Sequence, residues 1–102
     1  MKVERDHFES LEALRGQIDG IDEELVTLLL ERFRVSEEIA RAKAAAGYRV
    51  TDEDRESYVL EHVKQTAAAS AEGGVYDDAL ERIFRLLIEE SKGRQRQVIG
   101  LG

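Results

Sequence analysis

A long heptad-like pattern in the first half of the chain restricts its fold more than any other feature of the sequence. Apolar residues recur at intervals that alternate between three and four, with one interruption at Arg32. The apolar positions are Leu11, Leu14, Ile18, Ile21, Leu25, Leu28, Val35, Ile39, Ala42 and Ala46. This spacing is typical of the a/d seam of a helix that packs along a second helix. It predicts one helix over residues 7–46, with Gly47 as its C-cap.

The predicted first helix is too long to be covered by a single chain of this size. Residues 7–46 span roughly 60 Å at about 1.5 Å per residue, whereas a compact chain of this length has a radius of gyration of about 13 Å. The apolar seam would therefore be exposed to solvent in a monomer. We expect a second copy of the chain to bury it, in a symmetric homodimer.

Two further helices follow, so the sequence predicts an all-α fold with three helices. The second is predicted over residues 52–70, with Thr51 as its N-cap and acidic residues in its first turn. Gly73 and Gly74 mark the next break, and the third helix is predicted over residues 75–97. Its predicted inner face consists of Tyr76, Leu80, Ile83, Phe84, Leu87 and Ile88. The chain has no proline and is rich in strong helix formers, which supports this assignment.

Composition and charge exclude several classes of function. The formal net charge of −7 and the pI of about 4.9 are unlike the basic surface of a nucleic-acid-binding protein. The absence of cysteine excludes disulfides, thiolate chemistry and cysteine-based zinc sites. No apolar run approaches the roughly 18 residues of a membrane span, and the N-terminus lacks the apolar core of a signal peptide. We expect a single cytoplasmic domain, residues 1–102, that binds neither nucleic acid nor membrane.

The sequence has no arrangement typical of nucleophilic or metal-dependent catalysis. The two histidines, His7 and His62, have neither a second ligand nor a nucleophile near them in the sequence. We expect ordinary surface roles for both and predict no metal site.

Each predicted helix carries polar residues where its buried stripe should be apolar. The first helix has Arg32 on the seam and Lys43 about 20° away from it around the helix axis. On the other two helices the polar positions are Asp52, Arg55, Glu56, Ser91 and Gln95. A buried cation is costly without an anionic partner. Two interpretations remain open: an ion-pair network that fixes the register of the dimer, and a cationic pocket for a small dianion.

Four segments of the sequence resemble one known family in their order and spacing. They are Leu14-Arg15-x-x-Ile18-Asp19-x-Ile21-Asp22, Leu28-Leu29-Leu30-Glu31-Arg32 with Ala42-Lys43, Val50-Thr51-Asp52-Glu53-Asp54-Arg55-Glu56, and Ile88-Glu89-Glu90-Ser91-x-x-x-Gln95. Over roughly residues 8–97 the chain resembles the all-helical class of chorismate mutases. The resemblance implies an intertwined homodimer that converts chorismate to prephenate in aromatic amino-acid biosynthesis. It also implies that neither a cofactor nor a metal takes part.

The same resemblance assigns three basic residues of the first helix to the substrate. Arg15 resembles the arginine that reaches into the site of the partner subunit. Arg32 resembles a second arginine, which holds a substrate carboxylate. Lys43 resembles the lysine that binds the ether oxygen and a carboxylate, and with Arg32 it is counted among the catalytic residues.

Five residues of the second and third helices complete the site that the resemblance implies. Asp52 and Glu56 match the acids around the ring hydroxyl, and Arg55 matches the arginine beside them. Ser91 matches a carboxylate contact. Gln95 matches the second donor to the ether oxygen, and it completes the catalytic group together with Glu56.

Three alternatives to a chorismate mutase are weighed against these residues. An isochorismate pyruvate lyase or an aminodeoxychorismate mutase would share the fold, but those branches depart from the Asp-x-Asp-Arg-Glu segment at residues 52–56. A non-catalytic helical dimerisation module explains the seam equally well. It does not explain why Lys43, Asp52, Glu56 and Gln95 occur together. An activating enzyme of the same pathway, or a further domain fused after Val98, is left open by the sequence.

Overall fold

The computed structural model of the chain describes residues 2–49 and 52–100, with side chains from residue 7 onward. In these ranges it contains three α-helices, α1 (Lys2–Ala46), α2 (Glu53–Ala68) and α3 (Asp77–Val98). The prediction of an all-α chain with one very long helix is confirmed. The first helix begins earlier than the predicted residue 7, because no glycine or proline interrupts the chain before Gly16.

The chain divides into two compact units, Met1–Arg34 and Val35–Gly102. The first unit consists of α1 throughout the part of it that is described. The second unit contains the last residues of α1 together with α2 and α3, which pack on each other. Among the described residues, no helix is long and apolar enough to cross a membrane.

Gly47 ends the first helix, as predicted. Its φ angle is +80°, in the left-handed region that glycine adopts without strain. The amide of Gly47 donates to the Ala44 carbonyl at 3.2 Å, and the amide of Tyr48 donates to the Lys43 carbonyl at 2.8 Å. This pair of hydrogen bonds is a Schellman motif, which satisfies two carbonyls at the helix end.

The second helix is capped by Asp52. The backbone of Asp52 is extended (φ −139°, ψ 94°), and its Oδ1 accepts a hydrogen bond from the Arg55 amide at 3.0 Å. The predicted cap, Thr51, lies outside the described residues. A carboxylate at this position also meets the positive end of the helix dipole, so Asp52 suits the capping role.

The turn between α2 and α3 depends on Gly73. A Cβ atom at this position would lie 2.8 Å from both the Cα and the carbonyl oxygen of Ala68, so a larger residue would force the backbone apart. The turn is longer than predicted, because α2 ends at Ala68 and α3 begins at Asp77. Tyr76 therefore precedes α3. Tyr76 and Ile83 are 58% and 53% exposed, so the prediction that both lie on the inner face of this helix is wrong for this chain.

The predicted seam of α1 is exposed along its length. The exposed fractions of Leu11, Leu14, Ile18, Ile21, Leu25 and Leu28 lie between 44% and 60%. Val35 and Ile39 continue the seam and are 45% and 46% exposed. The residue of α1 that is completely buried is Ala40, which lies off the seam. The chain by itself thus leaves a continuous apolar stripe uncovered.

Candidate active site

The centre of the second unit is unusually polar. Of the five buried residues that the structure describes, two are apolar, Ala40 and Ile88, and three are polar, Ser36, Ser91 and Gln95. Polar side chains are seldom buried without a structural or functional reason. Ser91 and Gln95 are residues that the sequence assigns to a site, whereas Ser36 was not predicted.

Gln95 is held in a defined orientation by the backbone of α1. Its Nε2 donates a hydrogen bond to the Ser36 carbonyl at 2.9 Å, and the side chain is buried. Because a carbonyl can only accept, this contact fixes which end of the amide carries the nitrogen. The amide nitrogen has a second N–H, which this bond does not use. Gln95 is therefore an oriented, neutral donor inside the protein.

The side of α1 that includes Ser36 also carries Lys43. Ser36, Ala40 and Lys43 are separated by four and three residues, which places them on one face of the helix. Ser36 and Ala40 are buried, and Lys43 is half-buried. The two buried side chains are small, and Lys43 places a cation beside them. This inner face was not recognised in the sequence because the more apolar seam dominates the pattern.

A charged clamp ties α1 to α3 next to Gln95. The guanidinium of Arg94 contacts Oε1 of Glu37 through Nη2 at 2.6 Å and through Nε at 2.9 Å. The Glu37 side chain is 19% exposed, so this forked, charge-assisted pair is partly shielded from water. Because Glu37 follows Ser36 and Arg94 precedes Gln95, the clamp supports the hydrogen bond between those two residues.

Glu56 is bound on one side only. Its Oε1 lies 3.5 Å from Nζ of Lys92, whose side chain is 16% exposed. Its Oε2 is buried and accepts no hydrogen bond from any residue that the structure describes. Lys92 also contacts Glu89 at 3.0 Å. This hydrogen bond, aided by the charge of Glu56, raises the pKa of Lys92, so Lys92 is a cation at neutral pH.

Asp52 and Arg55 lie at the exposed start of α2. The Arg55 guanidinium lies 4.8 Å from the centre of the Tyr58 ring, a cation–π contact. Tyr58 in turn stacks on His62, with ring centres 5.6 Å apart and an angle of 7° between the planes. His62 is exposed and has this packing role, in agreement with the expectation of a surface residue.

The two predicted site arginines of the first unit, Arg15 and Arg32, differ in their surroundings. Arg15 pairs with Glu12 at 3.0 Å, and its side chain is 63% exposed. An exposed pair of this kind contributes little to stability, so Arg15 can leave it for a better anion at small cost. Arg32 is half-buried.

Neither a cluster of metal ligands nor an apolar depression on α2 and α3 accounts for the predicted residues. Among the described residues, no group of three or more histidine or acidic side chains is arranged to hold a metal ion. A depression of about 370 Å³ on α2 and α3 is lined by His62, Val63, Thr66, Ala67, Leu80 and Phe84. It contains none of the predicted site residues and no lysine or arginine to bind a dianion.

Comparison with known proteins gives matches to chorismate mutases. The family model for chorismate mutase type II matches residues 14–96. The chain is 30% identical over 92 residues to a chorismate mutase of Methanocaldococcus jannaschii, and the match covers 90% of each chain. It is 35% identical over 87 residues to the bifunctional chorismate mutase/prephenate dehydratases of Enterobacter agglomerans and Escherichia coli K12, covering 85% of this chain but 22% of theirs. No solved structure gives a significant match.

Proposed function

Because the chain belongs to the chorismate mutase type II family, we propose that it rearranges chorismate to prephenate in aromatic amino-acid biosynthesis. The buried, oriented amide of Gln95 is the observation that carries this proposal. The reaction breaks a C–O bond, and negative charge builds up on the ether oxygen. A fixed N–H donor in a water-poor core stabilises such charge without having to reorganise.

The reaction is an intramolecular pericyclic step, so the protein has two tasks. It must hold a flexible dicarboxylate in its compact, reactive conformer. It must also stabilise the charge on the ether oxygen, and we assign this task to Lys43 and Gln95. Arg32 would hold a carboxylate through forked, charge-assisted hydrogen bonds. Neither task requires a nucleophile, a general base or a metal.

The remaining predicted residues would bind the periphery of the substrate. Ser91 lies one helical turn before Gln95 and is buried, so its hydroxyl suits a carboxylate close to the ether oxygen. Glu56 would accept the ring hydroxyl, because its Oε2 is buried and accepts no hydrogen bond from the described residues. Asp52 and Arg55, at the start of α2, would lie beside that hydroxyl.

The catalytic form would be an intertwined homodimer. The apolar seam from Leu11 to Leu28 is exposed in the single chain, which favours burial against a second copy. Arg15 and Arg32 are 17 positions apart and point in different directions from one helix. We therefore expect Arg15 to serve the site of the partner subunit, so that each site needs both chains.

Two other functions would fit parts of the molecule. An isochorismate pyruvate lyase or an aminodeoxychorismate mutase would use the same fold and also bind a dicarboxylate. A non-catalytic dimerisation module would use the exposed seam. A dimerisation module would not require a polar core, however, and apolar side chains in place of Ser36, Ser91 and Gln95 would pack better.

The purified protein should consume chorismate without added metal or cofactor. Loss of the ultraviolet absorbance of chorismate gives the rate, and chromatography identifies the product. Prephenate as the product would establish the mutase. Release of pyruvate from isochorismate would move the protein to the lyase branch, and rearrangement of 4-amino-4-deoxychorismate in place of chorismate would move it to the aminodeoxychorismate mutase branch.

We expect the activity to change little between mildly acidic and neutral pH. Gln95 is an amide, so its donor does not titrate, and kcat/KM should vary less than about threefold between about pH 6 and pH 8. In Gln95→Glu, a buried carboxyl would face the Ser36 carbonyl, which favours the protonated form. Its kcat/KM should therefore rise up to about tenfold for each unit of acidification. A steep acid-dependent rise in the unmodified protein would contradict the role of Gln95.

Three further predictions about this chain await direct tests. The chain is expected to form a single domain, to act in the cytoplasm and to bind no nucleic acid. The sequence leaves open whether another enzyme of the pathway activates the chain. Rate measurements with and without the enzyme that consumes prephenate would test it.

A further inference from the structure

Lys92 binds the carboxylate of Glu56 across the contact between α2 and α3. Its Nζ lies 3.5 Å from Oε1 of Glu56 and 3.0 Å from Oε1 of Glu89. The side chains of Lys92 and Glu56 are 16% and 27% exposed, whereas that of Glu89 is 65% exposed. Glu89 therefore anchors the ammonium group from the surface, and Glu56 lies on its more buried side.

The two oxygens of Glu56 have different surroundings. Oε1 is held by Lys92, whereas Oε2 is buried and accepts no hydrogen bond from the residues that the structure describes. A buried acceptor without a donor is unfavourable, so a donor carried by a ligand is its natural partner. Because the carboxylate is rigid and planar, fixing Oε1 also restricts the direction of Oε2.

We propose that Lys92 is a positioning residue, which orients the Glu56 carboxylate so that Oε2 can accept the ring hydroxyl of the substrate. The inference rests on the proposed function. Lys92 does not itself contact the substrate. Its ammonium group can only donate, so it occupies Oε1 and leaves Oε2 to the ligand, and its contact with Oε1 reduces the freedom that Glu56 would lose on binding.

The kinetic consequence follows from the chemistry of the hydroxyl group. The ring hydroxyl is neither broken nor charged during the rearrangement, so its hydrogen bond to Glu56 exists in both the ground state and the transition state. Weakening a bond of this kind raises KM and leaves kcat nearly unchanged. For Lys92→Met we expect KM to rise about tenfold and kcat to stay within about threefold of wild type.

A second ion pair between the same two helices provides the control. Nζ of Lys64 lies 3.3 Å from Oε1 of Glu81, and the hydrogen bond between them lowers the pKa of Glu81. Lys64→Met removes an ion pair between α2 and α3 that lies eight positions, about two helical turns, from Glu56 along α2. If Lys92 only held α2 and α3 together, Lys92→Met and Lys64→Met should have the same effect on KM. We expect Lys64→Met to leave KM within about twofold of wild type.

Two further variants separate positioning from general packing. Lys92→Arg keeps the charge and the reach to Glu56, so it should restore KM to within about threefold of wild type. In a Glu56→Gln background, Lys92→Met should change KM by less than about twofold, because Lys92 acts through the charge of Glu56. Circular dichroism and thermal unfolding would be recorded for every variant. If Lys92→Met does not fold, Lys92→Gln replaces it in both backgrounds.

The outcomes separate this inference from the proposed function. If the wild-type protein does not convert chorismate, the proposed function itself fails. If wild type is active but Lys92→Met has a wild-type KM, the positioning role of Lys92 is overturned while the proposed function stands. The role is equally overturned if Lys92→Met raises KM as much in the Glu56→Gln background as alone, or if Lys64→Met has the same effect.

Discussion

Lys43→Ala is expected to lower kcat by about 10²–10³, the loss typical of removing one donor to a developing negative charge. Lys43 would donate to the ether oxygen while that oxygen gains negative charge. The interaction is therefore stronger in the transition state than in the ground state, and its loss reduces kcat rather than only raising KM. Steady-state kinetics with chorismate would measure the effect.

The fold should survive this substitution, so a lower kcat can be attributed to weaker stabilisation of the transition state. The Schellman motif at the end of α1 uses the backbone carbonyl of Lys43 and not its side chain. Alanine is also a better helix former than lysine. His62→Ala, which removes an exposed side chain that stacks on Tyr58, is the matched control and should leave kcat within about threefold of wild type. A Lys43→Ala protein with wild-type kcat would refute the assignment.

Periodicity predicted the helices of this chain better than it predicted the packing of the helices. The three-four spacing from Leu11 to Ala46 and the glycine at position 47 suffice to define α1 from Leu11 to its end, because both act within one helix. The face of α1 that is buried within the chain is different. It runs through Ser36 and Ala40, whose side chains carry almost no hydrophobic signal. Whether a stripe faces the chain itself or a second copy depends on tertiary contacts.

The candidate site shows the same division between local and tertiary information. Ser91 and Gln95 could be singled out because they continue an apolar stripe on one helix, and both are buried. The partner of Gln95 is a backbone carbonyl, which every residue has, so no sequence pattern could indicate Ser36. Lys92 was missed because it is adjacent to Ser91 and therefore off the stripe of α3. Its partner Glu56 is 36 positions away.

Mixing two inactive variants is expected to restore activity, which is the sharpest test of a site built from two chains. Arg15→Ala and Lys43→Ala should each lower kcat/KM by about 10² or more. In a mixed dimer, one site would receive both defects and the other would receive neither, because Arg15 serves the partner's site. Random exchange in an equal mixture gives about half mixed dimers, so about a quarter of wild-type activity should return. The mixture would be unfolded and refolded together before it is assayed.

A mixture of Lys43→Ala with Gln95→Ala is the matched control, because we assign both of these residues to the site of their own chain. Every site in that mixed dimer keeps one defect, so no activity should return. If Arg15 served its own chain instead, the first mixture would behave like the control, since each site would again carry one defect. Recovery in the first mixture alone requires that Arg15 cross the dimer interface. Recovery in neither mixture, with mixed dimers present by native mass spectrometry, would place Arg15 in its own chain's site.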